Sequence, residues 1–299
     1  MTDRRDEIVA LLTLLHERKE SWGRIASRVV FEGSAMALRA RDDGALFELT
    51  AEDAVQERAA SELASWEARG LTLVTVLDDQ YPRRLLDIRE TPPFLFYEGE
   101  LRCDDPGMSV VGSRGASPDG LRLAAEVARY LVSQDLTVIS GLAAGVDAAA
   151  HRAAMDAGGR TTAFIGTGIT RSYPAANAAL QREVAKQGLV LSQFFPDAPP
   201  TKQSFPMRNA SMSGYGLATI VIEASEHSGT RIQARLAGEH GRPVILTDRV
   251  TTTTTWGADL RGQPGVYVVS SMDELATAVR EIREQPKRAD EALAALMGA

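Results

Sequence analysis

The stretch MSVVGSRGASPDGLRLAAEVARYLVSQDLTVISGLAAGVDAAAH, residues 108–151, twice shows one local pattern: a short apolar run, a turn of glycines and small residues, then a segment of helical periodicity. An apolar run without polar alternation suits a strand buried on both faces. The helical segment that follows carries the chain back to start a parallel neighbour. The rhythm continues downstream. Strands are expected at 108–112, 136–140, 162–166, 189–193, 217–223, 244–246 and 266–269, with helices at 117–135, 144–157, 175–187, 230–240 and 272–283. The fold class is therefore α/β, a mostly parallel sheet with helices on both faces.

Upstream, residues 1–75 read as a small helical region, with Ile8, Leu11, Leu12 and Leu15 at helical spacing and a later helix near 54–66. Residues 76–106 mix short β-type runs with Asp, Pro and Gly, and read as a connector into a core domain at 107–285. The last helix opens with Ser271 as N-cap and Glu274 at the capping-box position. Beyond it, the 286–299 tail is expected to be a short solvated helix, and the threonine run at 251–255 a loop or irregular edge strand.

Composition narrows the function. No run approaches the ~18 to 20 apolar residues of a membrane span, and the N-terminus lacks the apolar core of a signal peptide, so a cytoplasmic protein is expected. One cysteine, Cys103, and the scattered His16, His151, His227 and His240 show no metal-ligand spacing, so neither a metal nor another cofactor is expected. The formal net charge of -7 argues against broad nonspecific nucleic-acid binding. The acidic excess is local, however: residues 1–100 hold 13 Lys and Arg against 20 Asp and Glu, and the remainder is balanced.

Four segments carry chemistry. After the first strand, Gly112, Ser113 and Arg114 offer a turn a phosphate can approach, donors at a helix start and a cation. After the second come Ser140, Gly141, Ala143 and Gly145, with Asp147 in the next helix, where it reads first as a favourable helix-start charge, and His151, read first as a packed histidine. The third, FPMRN, places Phe205 to stack on a base and Arg208 and Asn209 to hold a phosphate, with Lys202 close by; a surface salt bridge for Arg208 is the competing reading. In the fourth, Glu223 ends a strand and Ser228, Gly229 and Thr230 open a helix, as N-caps or as an anion site. No nucleophile and base stand at a catalytic spacing.

The order of these motifs resembles the DprA/Smf family of DNA-processing proteins: VGSR at 111–114, SGLAAGVDAAAH at 140–151, YPAAN at 173–177, FPMRN at 205–209 and EASEHSGT at 223–230, led by YPRRLLDIRETPPFLFYEGEL at 81–101. The resemblance implies a Rossmann-like domain that binds single-stranded DNA, often dimerises and in transformation hands the strand to a RecA-type recombinase, with Gly112, Ser113, Arg114, Ser140, Gly141 and Ala143 lining a phosphate pocket and Phe205, Arg208 and Asn209 holding the strand, Lys202 assisting. Tyr173 and Asn177 read as loop-fixing. Departures stand at Gln193 where the family has an acid, at RNASM (208–212), at SGTRIQ (228–233) and at 247–262, and no winged-helix extension is expected; a divergent DNA-sensing or defence role is the other branch. Two readings compete: a LOG-like nucleotide phosphoribohydrolase using Glu223 or Glu226, and a nucleotide-binding sensor module.

Overall fold

The computed structural model describes residues 3–17, 19–43 and 49–297. Nine strands form one sheet in the order β1-β2-β6-β5-β4-β3-β7-β8-β9. The seven strands expected from the sequence are all present and parallel to one another: β3 (Gly107–Val111), β4 (Thr137–Ser140), β5 (Thr161–Phe164), β6 (Leu189–Ser192), β7 (Thr219–Val221), β8 (Val244–Thr247) and β9 (Val266–Val269). Two further strands, β1 (Thr72–Thr75) and β2 (Phe94–Gly99), add to the β6 edge in antiparallel fashion. The segment read as a connector thus supplies a strand of the main sheet.

Side-chain alternation along the central strands divides the core in two. Val138, Ile220 and Ile245 face helices α5 (Pro118–Ser133), α6 (Val146–Asp156) and α12 (Met272–Met297). Ile139, Val221 and Leu246 face the opposite side with Tyr215 of α8 (Ser204–Tyr215) and Ala234 of α9 (Gly229–Glu239). Helix α5 starts where it does because Ser117 accepts from Gly120 N and Pro118 occupies the first turn, where its missing N–H does no harm.

Helices α1 (Arg4–Glu17), α2 (Trp22–Glu32), α3 (Ala35–Asp43) and α4 (Leu49–Ala68) cover the antiparallel edge. They meet it through an aromatic cluster in which Trp22, Trp66, Phe94, Phe96 and Phe195 lie 5.1 to 5.8 Å apart by ring centroids. Among the described residues no helix is long and apolar enough to cross a membrane.

Two expectations are corrected. The threonine run is helical, split between α10 (Asp248–Thr253) and α11 (Thr255–Leu260). Thr252, Thr253 and Thr254 donate their hydroxyls to carbonyls four residues back, and Thr254 also caps α11 by accepting from Gly257 N, so local side-chain bonds outweigh the β preference of branched residues. The segment from 286 is helical as expected, but rather than a separate element it continues α12 through Pro286 as one helix. Its start is as expected, except that Glu274 reaches back to the N–H of Ser270 rather than that of Ser271.

Candidate functional site

The chain order reverses at β3: β4 follows on one side and β7 on the other. In an open α/β sheet, the crevice outside the strand carboxyl ends at such a switch point is where ligands bind. Here the turns after β3, β4 and β7 converge, and one face of α8 closes the fourth side. Ser113 N donates to the Glu223 carbonyl (2.7 Å) and Val146 N to the Ser113 carbonyl (3.2 Å), which locks the three turns together. They enclose a cleft of about 410 Å³.

Most of the residues singled out by sequence lie on its wall. Gly112, Ser113, Arg114, Ala143, Phe205, Arg208, Asn209, Ser228, Gly229 and Thr230 line the cleft. Gly141 sits directly beneath, since a Cβ there would fall 1.3 Å from Arg208 Nη1. Gly145 is the N-cap of α6, one layer down. Two are placed elsewhere. Ser140 is fully buried and donates to the Val110 carbonyl (2.7 Å), so it ties β4 to β3 and presents nothing to the cleft. Lys202 is exposed at the turn before α8 and does not form part of the wall.

Arg208 is the unusual feature. It is only 6 % exposed, its one hydrogen bond among the described residues runs from Nη1 to the Phe164 carbonyl (3.3 Å), and its Nε has no partner. Asp147, the acid on the cleft wall, makes no ion pair with it and instead accepts from Gly141 N (3.1 Å) and Ala143 N (3.4 Å). Burial pulls the Arg208 guanidinium below its usual range, Asp147 opposing and Arg114 reinforcing. Burial likewise pushes the Asp147 carboxyl up, against the pull of Arg208. A buried cation with unused donors favours an incoming anion strongly.

Above this cation the cleft is aromatic. The Arg114 guanidinium lies 5.5 Å from the Phe205 ring centroid, and Tyr173, 44 % exposed, lies 5.5 Å from the same ring at a tilt. Tyr173 was read only as fixing a loop; its exposure beside Phe205 could not be seen from spacing. Asn177 does fix a loop: its Nδ2 donates to the carbonyl of Leu142 (2.9 Å), whose φ of 55° is a left-handed strain for a leucine. In the turn after β7, Ser228 holds the N-cap position of α9, but its buried hydroxyl makes no cap hydrogen bond and has no partner among the described residues. Gln233 and His227 line the cleft too. Gln233 lay within the SGTRIQ departure, which was the only sequence signal for it.

The two carboxylates of the hydrolase reading are engaged. Glu223 accepts from the N–H (3.0 Å) and hydroxyl (2.6 Å) of Ser117, holding the start of α5, and Glu226 accepts from Thr255 N (2.7 Å). Glu223→Ala is therefore expected to lower unfolding stability by about 1 to 2 kcal/mol, the worth of a helix cap, while affinity for an anionic probe of the cleft, a short single-stranded oligonucleotide, stays within about threefold. Urea unfolding and anisotropy check this; nucleotide hydrolysis lost in the same variant would restore a catalytic role.

A Rossmann-like sheet whose switch-point cleft combines glycine turns, a buried arginine and an aromatic pair places the chain among the open α/β proteins that carry a crevice at their strand carboxyl ends. The chain belongs to the DNA recombination-mediator protein A family, whose sequence model matches residues 72–280. It is 43 % identical over 172 residues to the DNA processing protein DprA of Streptococcus pneumoniae, covering 57 % of this chain and 61 % of that protein. With Protein Smf of Escherichia coli it shares 37 % over 175 residues, covering 58 % and 47 %. The chain thus spans about half to three-fifths of these relatives. The X-ray structure of the S. pneumoniae protein superposes with a TM-score of 0.67 at 31 % identity, over 92 % of this chain and 93 % of that one. A Helicobacter pylori DNA processing protein A, solved for its single-stranded DNA binding mode, has a TM-score of 0.62 at 22 % identity over 70 % and 96 %.

Proposed function

We propose that the cleft binds single-stranded DNA, with a phosphate on Arg208 and Arg114 and a base on the Phe205–Tyr173 pair. The observation that carries this reading is the buried, unpaired Arg208 guanidinium at the floor of an open crevice. Its fork of donors matches a phosphate, and the neighbouring N–H groups at the start of α9 add a partial positive charge. Aromatic faces beside it suit unstacked bases, which a duplex hides. Exposed Lys202 lies where a strand leaving along α8 would pass. The H. pylori protein, solved for its single-stranded DNA binding mode, agrees with this ligand. Hand-over to a RecA-type recombinase, and pairing into a homodimer, extend the proposal from the family to this chain.

The test is fluorescence anisotropy with a labelled strand of ~30 nucleotides and the matching duplex across a salt series, where phosphate contacts give a negative slope. Arg114→Ala is expected to weaken single-strand binding and to flatten the log–log salt slope by about 0.7, the value for one phosphate contact on a single strand. Arg114 is exposed and carries no ion pair among the described residues, so this variant leaves stability unchanged. An unaltered slope removes Arg114 from the interface, and equal affinity for duplex removes the single-strand assignment.

A further inference from the structure

A second cavity, of about 620 Å³, opens on the far side of α8 from the cleft. Phe205, Arg208, Asn209 and Met212 fall on one helical face toward the cleft, and Met207, 40 % exposed, points away from them into the second cavity. Its other walls come from the first turns of α2 (Ser21–Ser27), from residues 89–93 before β2, and from Gln193 at the carboxyl end of β6. The α2 wall lies outside the residues that match the family.

Three features of this cavity point to one chemistry. Its apolar side is the half-buried ring of Trp22, held by Phe94 and Phe195 at 5.4 Å, together with Pro92, Pro93 and Met207. Gln193 is 6 % exposed; its Oε1 accepts from the Ser211 hydroxyl, and its Nε2 has no protein partner among the described residues, leaving two unused amide donors at the cavity wall. The start of α2 is uncapped, since Ser21 makes no side-chain cap, and the exposed Arg89 next to it has no acidic partner among the described residues. Glu90, the acid on this wall, is bound to His240 Nε2 (2.9 Å). A flat apolar wall, an amide edge, and a helix start with a free cation match a planar ring joined to a phosphate.

We infer that this cavity binds one nucleotide unit, its base against Trp22 and the proline wall with an edge on Gln193, and its phosphate between the α2 start and Arg89. The unit is either the continuation of the strand held in the first cleft or a free nucleotide; only the first source rests on the single-strand reading above.

The probe is the monophosphate of 2-aminopurine deoxyriboside, whose fluorescence is quenched on stacking, titrated with the full chain. Saturable quenching is expected to persist in Arg114→Ala, in which the first cleft is weakened, and in that background to be weakened roughly tenfold or more by Gln193→Glu, in which the glutamate still accepts from Ser211, and by surface Arg89→Ala. Displacement of the probe by an unlabelled single strand identifies the strand as the source, and persistence of the probe identifies a free nucleotide. Absence of saturable quenching, or quenching lost with Arg114→Ala and retained with Gln193→Glu, overturns the site. Anisotropy of the labelled strand reads the first cleft separately.

Discussion

Gly141→Ala is expected to reduce single-strand affinity by about 100-fold, the equivalent of one charge-assisted hydrogen bond to phosphate. The new Cβ would lie 1.3 Å from Nη1 of Arg208 and 2.4 Å from its Cζ. Long arginines usually step aside cheaply, but this one is packed at 6 % exposure against Phe164 and the turn after β4, so its guanidinium must leave the floor of the cleft. Arg208→Met should match that loss of affinity and differ in stability. It fills the same volume without a buried charge, and Asp147, deprived of the cation that holds its carboxyl down, takes up a proton more readily. Gly141→Ala is therefore the less stable of the two. Anisotropy and urea unfolding on both variants separate the effects, and wild-type affinity in Arg208→Met would remove the buried guanidinium as the anion ligand.

The same geometry reconciles the net charge of -7 with the anionic partner proposed for the cleft. Binding to a strand depends on the phosphates neutralised at the contact and on the counterions they release, not on the charge summed over the chain. Asp147 is the acid on the cleft wall, and its carboxylate is buried and turned toward two backbone N–H groups. Glu223 and Glu226, which sequence places beside the cleft, are held by Ser117 and Thr255.

Strand positions were legible because central parallel strands are apolar on both faces, and the glycine turns because each follows such a strand. Helix α8 was not expected: FPMRNASMSGY has a proline, many small polar residues and no apolar stripe, and its helix exists because both faces find tertiary partners, Ser211 on Gln193 and Asn209 on Gly229. Residue type and motif make Arg208 a ligand candidate, but they do not reveal its depth. Whether an arginine lies on a surface or beneath a glycine depends on residue 141, which is 67 positions away and comes near only once β4 and α8 are packed. Ser140 shows the converse, since a small hydroxyl in a glycine turn is indistinguishable by type from one that holds two strands together. The β1–β2 edge was hidden for a related reason, as antiparallel edge strands broken by Asp and Pro lack the continuous apolar runs of the strands they extend.

The second large effect concerns pH. His151 is fully buried on α6, and its Nδ1 lies 2.7 Å from the Thr161 hydroxyl, which itself donates to the Val138 carbonyl (2.7 Å). Thr161 must then accept from His151, which places the proton on Nδ1 and leaves Nε2 bare and without a partner. Burial, with the Arg208 and Arg152 charges added, depresses the imidazole from 6.5 to about 3. Because the folded value is depressed, the unfolded chain takes up the proton first: the contribution to stability is complete above pH 6.5 and is lost as pH falls toward 3. Between pH 7 and pH 5 this one group is expected to remove about 2 kcal/mol, and over its whole range on the order of 3 to 5. Asp147, whose raised carboxyl acts in the opposite direction at acid pH, makes the wild-type profile alone ambiguous. The decisive comparison is urea unfolding of wild type and His151→Gln at both pH values. His151→Gln should be less stable at pH 7 and show a pH dependence shallower by about 2 kcal/mol; parallel profiles would mean that the imidazole titrates normally, and that the pocket beneath Arg208 is open to water.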